Sequence, residues 1–400
     1  MRVLLALVSF FVCISSFAQE VNEVPNFNYM GYVYQGLNKS DYNNYGGQSS
    51  AAYGSTDVRD IGVLASYQVN HYVDVRGFLK WQQSGERMVQ EMPQFNYLLI
   101  DIHDVNGLNS TYGIRLGKVR NELGFYNATM ENPASRDMDI LPQGVYRTTL
   151  EQFINSGTGF QAYYHTENAP WLNLTFEYAN TTPQFTPAKD VGSAWFTTVP
   201  VGTLSSNLPA ESFHLLATTK DLRWMVRYDQ FNVNTQFKAS TGDFVPSGDY
   251  SVRVSLLGIR RYFDTWDITY EVLKDEQVGG SWELIRPNGQ YSLAQNIVLR
   301  KNFTDKWTAY IGYNEWLSDH TDASGVRGSA ASGGFVPTSD FYNKDWNIGF
   351  VYRPARSWIV RGSYHQIEGI VSLSPIDNPK MLQTAKDKDN LYTLSVTYTF

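Results

Sequence analysis

Along most of this chain apolar and polar residues alternate one by one. The last ten residues show it most clearly. Tyr392, Leu394, Val396, Tyr398 and Phe400 are apolar or aromatic, while Thr393, Ser395, Thr397 and Thr399 between them carry hydroxyls. Successive side chains of a β-strand point to opposite faces, so such a segment has one greasy face and one wet face. From Val73 to Gln82 the set Val73, Val75, Gly77, Leu79 and Trp81 alternates with Asp74, Arg76, Phe78, Lys80 and Gln82. The stretches opened by Trp307, Trp346 and Trp358 repeat the rhythm, each with a Trp at one end of its apolar face. A helix would need a period near 3.6, and these stretches lack it.

Sixteen such segments are predicted, centred near Tyr32, Leu64, Gly77, Leu99, Leu116, Ala162, Phe176, Leu216, Val226, Leu256, Tyr270, Ile297, Ile311, Phe350, Gly362 and Val396. Short connections such as Asn70-His71, Lys220-Asp221 and Thr304-Asp305 take turns with long Gly-, Ser- and Asn-rich loops such as 38–56, 181–209, 318–343 and 368–389. Tight turns at one end and long loops at the other, with strands of about ten residues, fit an all-β fold: a 16-stranded antiparallel transmembrane β-barrel. In hydrocarbon every backbone N–H and C=O needs an internal partner, so the sheet must close. A sixteen-stranded cylinder is too wide for wall side chains to fill, and its lumen holds water unless something folds into it.

Composition changes this picture little. Aromatic residues make up 15 % of the chain (Tyr 27, Phe 22, Trp 10), which suits aromatic girdles at two membrane interfaces but also a soluble β-sandwich or propeller. A mean hydropathy of −0.34 argues against a helical membrane protein and not against a barrel with a polar lumen. The net charge of −7, without a basic block, gives no reason to expect nucleic acid as a partner. Residues 1–18 read as a secretory signal: Arg2, an apolar run from Val3 to Ile14, and the Ser16-Phe17-Ala18 cleavage site before Gln19. The one cysteine, Cys13, lies within it after Phe10-Phe11-Val12, where a lipoprotein signal would want a small residue. The barrel domain is then expected over 19–400. A closing strand that ends on Phe400 resembles the assembly signal of bacterial outer-membrane β-barrels. This places the expected home in the outer membrane of a Gram-negative bacterium, in contact with membrane lipid and lipopolysaccharide.

One connection stands apart. Residues 121–156 lie between the fifth and sixth segments and are more apolar than the other loops, with Leu123, Phe125, Met130, Met138, Ile140, Leu141, Val145 and Tyr146. Arg136, Asp137, Asp139, Arg147 and Glu151 place both charge signs there. A loop free in water has no use for those apolar residues, whereas one packed inside a barrel does, so an inward-folded third loop that constricts the pore is expected. The block from Arg115 to Asn127 (RLGKVRNELGFYN), followed by Arg136 and Leu141-Pro142-Gln143, resembles the corresponding stretch of porins related to the phosphate-selective O/P group. That resemblance implies a sixteen-stranded, homotrimeric channel with this segment as its constriction loop. The dense arginine ladder or lysine cluster of a phosphate pore is not seen here.

Opposite the apolar residues, the alternation puts Arg76, Lys80, Arg115, Arg223, Arg227, Arg253, Arg261, Arg353 and Arg361 on the lumen face, against Asp74, Glu177, Asp229, Asp267 and Glu271. Rings of Arg and Lys suit anion pores, while arginines paired with neighbouring acids would only brace the wall. The expected function is passive diffusion of small hydrophilic solutes, with a lean toward anions and no cofactor. Chemistry for other functions is thin. His71, His103, His165, His214, His320 and His365 show no metal-ligand spacing. A barrel phospholipase would want a serine two positions after His365, where Ile367 stands, and an omptin-like protease has only the pair Asp319-His320 to draw on. A non-channel surface barrel or adhesin is the third alternative, which ion conductance would separate from a porin.

Overall fold

The computed structural model describes residues 26–400 except 86–87, 90–91, 107–108, 127–131, 147–155, 170, 184–202, 207, 242–246 and 279–289. The expected signal at 1–18 lies outside the described residues. Sixteen long strands follow one another: β1 (Asn26–Ser40), β2 (Ser55–Asn70), β3 (Val73–Ser84), β4 (Gln94–Asn106), β5 (Ser110–Arg120), β6 (Ser156–Thr166), β7 (Leu172–Pro183), β8 (Ala210–Thr219), β9 (Trp224–Lys238), β10 (Gly248–Tyr262), β11 (Trp266–Val278), β12 (Gln290–Asn302), β13 (Trp307–Leu317), β14 (Tyr342–Ala355), β15 (Trp358–Glu368) and β16 (Lys388–Thr399). Each expected centre falls inside one of them. Two short pieces, Met88–Val89 beside β3 and Thr203–Ser205 beside β9, extend the sheet at the long-loop end. Among the described residues helix is confined to short turns such as Val326–Ala331 and Met381–Thr384.

Every strand pairs antiparallel with its neighbours in the chain, and β16 pairs with β1 from Leu391–Ser40 to Thr399–Tyr32. That last pairing closes the cylinder and leaves no edge with unpaired N–H and C=O groups. At its lower end the Gly31 N–H donates to the Phe400 carbonyl at 2.9 Å, and the Phe400 N–H returns the bond at 3.0 Å. The Phe400 ring lies over Gly31, where an added Cβ would come within 2.4 Å of it. Glycine at position 31 is therefore what lets the terminal aromatic lie flat across the seam.

The pleat sorts the side chains. Ile100, Ile102, Ile114, Leu116, Ile311, Ile348 and Leu394 stand on the outer face, all more than two-fifths exposed, and form a continuous apolar band. Trp224, Trp266, Trp307 and Trp358 line it near the short turns, and Tyr313, Trp346, Tyr364 and Tyr392 near the long loops. Their partners across the pleat, such as Ser395, Thr397, Asn314 and Asp101, are buried on the inside. An apolar belt of this extent around a closed antiparallel cylinder belongs against lipid, and the protein resides in the outer membrane of a Gram-negative bacterium.

The seam yields a prediction. Gly31→Val should force the Phe400 ring aside at a cost of about 1–3 kcal/mol. The folded, fast-migrating band on unheated gels should then convert to the unfolded form at a clearly lower temperature than in the parent. An unchanged conversion temperature would mean that the terminal ring does not pack as described.

Candidate functional site

The inner wall is not uniformly polar. On β9 to β13 it carries Phe231, Val233, Val252, Val254, Leu256, Leu273, Ala294, Val298 and Tyr310, all nearly inaccessible. They form one core cluster with Leu123, Tyr126, Met138, Leu141, Val145 and Tyr146, which come from the long connection between β5 and β6. The described parts of that connection, 121–126 and 132–146, thus rest their apolar side on the face of the wall opposite to the lipid face.

Two buried carboxylates fix its first turn. Gly124 takes a left-handed conformation (φ 74°), where an added Cβ would meet the Tyr146 hydroxyl at 2.1 Å. Its N–H donates to Asp229 Oδ2 at 2.6 Å, and the next N–H, that of Phe125, donates to Glu271 Oε1 at 2.7 Å. The Tyr146 hydroxyl donates to the same Glu271 oxygen at 2.6 Å and accepts from the Tyr126 N–H at 3.1 Å. Burial, with the Glu271 carboxylate alongside, raises the Tyr146 phenol well above its ordinary range and keeps it a neutral donor. Asp229 is also held by Arg227 (2.7 Å) and His214 (2.9 Å). Arg227 reaches on to Glu122 at 3.3 Å. Burial pushes the Glu122 carboxyl up, but Arg227 and Arg120 outweigh it and hold it at about 2. Isolated buried carboxylates would be costly, and here every one meets donors.

The far end of the segment touches the opposite strands. Arg361 on β15 is 1 % exposed and donates to the carbonyls of Pro133 and Arg136 and to Thr397 Oγ1. Asp137 pairs with Arg300 on β12 and with Arg353 on β14. Asp139 accepts from the Tyr34 hydroxyl at 2.9 Å and from Ser395 at 2.6 Å. The Arg136 guanidinium lies over the Tyr34 ring, 5.4 Å from its centre, and has no ion-pair partner among the described residues. Between this stretch and the wall of β1 to β3 lies a cleft of about 240 Å³. Tyr34, Asp60, Lys80, Arg136, Asp139 and His365 line it.

The structure places the expected lumen residues unevenly. Arg76, Lys80, Arg115, Arg227, Arg353 and Arg361 stand on the inner face, mostly in pairs. Lys80 meets Asp60 at 3.0 Å, Arg76 meets Asp74 at 2.7 Å, and Arg115 reaches Glu177 and Asp101 at 3.3 and 3.5 Å. Arg253 does not face the lumen. It points outward, its side chain 61 % exposed, toward Glu276 at 3.9 Å. Arg261 is also outside, stacked on Trp224 and Phe263. The reason is physical: β10 turns its apolar side, Val252, Val254 and Leu256, inward to meet the long connection, so on this strand "apolar means lipid" fails. Arg223 sits in the turn before β9 beside Asp221 and Asp264, at the rim rather than on the wall. Arg147 and Glu151 lie outside the described residues.

Sequence reasoning missed Arg260 and Arg300, which do face inward. Arg260 covers the rings of Phe125 and Tyr126 at 4.7 and 4.9 Å. Each belongs to a doublet, Arg260-Arg261 and Arg300-Lys301, where one residue must face each way; counting back from Trp266 and Trp307 across the register would have settled which. Also missed was Ser363, two positions before His365. Its hydroxyl lies 2.9 Å from His365 Nε2, while His365 Nδ1 is 3.0 Å from Asp345 Oδ2. Ser363 is equally bound to Thr393 at 2.6 Å and does not line the cleft, so these residues knit β14, β15 and β16 together. Asp319 and His320 lie side by side without a mutual bond: Asp319 accepts from Thr321 and Arg327, and His320 sits by the Tyr291 carbonyl. Among the described residues no group of three or more His, Cys, Asp or Glu could hold a metal ion.

No protein-family model and no curated protein matches this chain. Solved structures do. An anion-selective porin from Comamonas acidovorans superposes with a TM-score of 0.57 at 9 % identity, over 94 % of this chain and 100 % of that one. The outer membrane channel DcaP of Acinetobacter baumannii gives 0.55 at 11 %, over 95 % and 99 %. OmpT of Vibrio cholerae in its trimer form, an outer membrane protein, gives 0.54 at 12 %, over 94 % and 100 %. This is a porin-like outer-membrane barrel fold. At such identities the likeness speaks for the fold alone, and the resemblance to the O/P group rests on the quoted block.

Arg361→Ala should loosen the far end of the segment. Each hydrogen bond to a charged donor is worth about 1.5–3 kcal/mol, so limited proteolysis within 132–140 of the folded barrel should speed up about tenfold or more. Equal cleavage rates would mean that Arg361 does not hold it.

Proposed function

We propose that this barrel is a passive channel for small hydrophilic solutes, narrowed by residues 121–156 acting as an inward-folded third loop, with a preference for anions. The observation that carries the reading is the span of that segment. It is seated on β9 to β13 by its apolar side and bonded to β1, β12, β14, β15 and β16 by its other end, a path that crosses the interior. A crossing peptide would leave the aqueous path on its side toward β1 to β3, by the cleft that Asp60, Lys80 and Arg136 line. Most wall arginines are neutralised by a neighbouring acid, so they shape the opening more than they charge it. Arg136, over Tyr34, and Arg361, bonded only to carbonyls and a hydroxyl, lack such an acid among the described residues. They would set the local field that a solute meets.

The apolar belt implies contact with membrane lipid, and the trimer form of OmpT makes a homotrimer the assembly to test first. A hydrolytic reading has less behind it. The Asp319-His320 pair is not arranged so that the acid orients the base, and Ser363 is enclosed by Thr393 and the wall.

Planar-bilayer recordings test the proposal. Deleting 133–142 should raise single-channel conductance, and current equal to that of the parent would put this segment outside the path. Under a salt gradient the reversal potential should favour chloride over potassium. Arg136→Glu should shift the permeability ratio toward cations by roughly threefold or more, which needs less than 1 kcal/mol. Cation selectivity in the parent would contradict the anion preference.

A further inference from the structure

The inner wall of β11 to β14 carries a row of four polar side chains, of which the connection uses only one end. Glu271, Asn296, Asn314 and Asp345 stand opposite one another in register, and all four are buried, the two asparagines at 1 % exposure. Adjacent strands lie about 4.8 Å apart, so the row spans about 14 Å. Its two ends are acidic. The Asn296 amide donates to Glu271 Oε2 at 3.0 Å, and the Asn314 amide donates the other way, to Asp345 Oδ2 at 2.8 Å. With their N–H groups turned outward to the carboxylates, the two amides turn their oxygens inward, toward each other. Neither oxygen accepts a hydrogen bond among the described residues. Asn347 brings a third amide to the same place. Its nitrogen also donates to Asp345, at 3.3 Å, and a Cβ added to Gly312, the next inward residue below Asn314, would meet its Oδ1 at 2.7 Å.

The charge is equally one-sided. Asp60, Asp101, Glu177, Asp229 and Asp267 on the same wall each have an Arg or Lys nitrogen within 3.5 Å. Among the described residues Glu271 meets only neutral donors: the Phe125 N–H, the Tyr146 hydroxyl and the Asn296 amide. Asp345 meets the His365 ring, charged only when protonated, and two amides.

We infer that this row binds a monovalent alkali cation, held between the amide oxygens of Asn296 and Asn314 with that of Asn347 beside them. Hard cations take oxygen ligands, and amide-type carbonyl oxygens replace the hydration shell of an alkali ion. A cation here meets the negative ends of the amide dipoles and offsets two buried carboxylates that lack an Arg or Lys partner, the pairing a buried charge needs. Divalent ions fit less well, because they take carboxylate oxygens directly and here N–H and O–H donors already occupy those oxygens. The effect reaches the connection. Glu271 is the acceptor on which the Phe125 N–H and the Tyr146 hydroxyl rest, so an ion that fixes Asn296 also fixes that seat. The inference rests on the wall and the seat of 121–126, not on conduction, so it stands or falls apart from the channel reading.

Crystals of the full barrel grown in a rubidium salt test the site, since anomalous scattering tells rubidium from water. A peak in contact with both Asn296 Oδ1 and Asn314 Oδ1 is expected. A water molecule at that position without anomalous signal would overturn the inference, and so would a peak elsewhere in the lumen only, an adventitious ion. Thermal unfolding in a neutral detergent, followed by circular dichroism, gives a second measure. The parent should unfold at a higher temperature in potassium or sodium chloride than in choline chloride of equal ionic strength, and the better of the two alkali salts identifies the ion. The double variant N296L/N314L keeps the side-chain volume and removes both oxygens, so it should lose this difference whatever its own stability. One unfolding temperature for the parent in all three salts, or a variant that keeps the full difference, would contradict the site.

Discussion

In a hydrocarbon layer a backbone N–H or C=O without a partner costs several kcal/mol, and from this the rest of the structure follows. Fifteen of the sixteen strand pairings join neighbours in sequence; only β1 with β16 joins the two ends of the chain. That pairing turns a sheet with two edges into a cylinder with none. It also decides what the side chains must do, because once the wall is closed each strand has one face on lipid and one on the interior. The outer face can be simple, a belt of Ile, Leu and Val between aromatic rims. The inner face cannot, since sixteen strands enclose more space than wall side chains fill.

The described parts of the connection between β5 and β6, 121–126 and 132–146, meet the inner wall in two ways. Toward β9–β13 they supply what a soluble core would: Leu123, Met138, Leu141 and Val145 against Phe231, Val254 and Leu273. Toward the other strands they offer carbonyls and carboxylates to arginines and hydroxyls. Asp229 and Glu271 show why the arrangement is specific and not merely greasy. Both are fully buried acceptors, and each is satisfied in part by a backbone N–H of the connection itself, those of Gly124 and Phe125. Moving the first turn would take one hydrogen-bond donor from each buried carboxylate, a cost added to that of the lost apolar contacts.

How much of this was legible in the sequence follows from the same physics. The sixteen strands could be read because lipid outside and water inside preserve a period of two over ten residues, and each expected centre lies in a strand. The unusual apolar content of 121–156 could be read as a need for a dry surface, although not where that surface lay. It lies on β9–β13, and this is where the reading of faces slipped. Strand β10 carries Leu256 and Leu257 side by side, one for the connection and one for lipid, so hydrophobicity no longer tells inside from outside. Alternation alone therefore puts Arg253 and Arg261 on the lumen face, whereas in the structure Arg260 and Arg300 face inward. Contacts that join distant strands, such as Tyr34 with Asp139 or Arg361 with Pro133, leave no local trace at all. They depend on the closed geometry and not on any spacing along the chain.

The division into a wet inner and a lipid outer face is measured most directly by single-cysteine labelling along β3 in intact membranes. Cysteines replacing Arg76 and Gln82 should react with a charged, membrane-impermeant thiol reagent. Those replacing Val75 and Leu79 should react only with a reagent dissolved in lipid. Uniform labelling along the strand, or the opposite alternation, would contradict the arrangement described for the whole barrel.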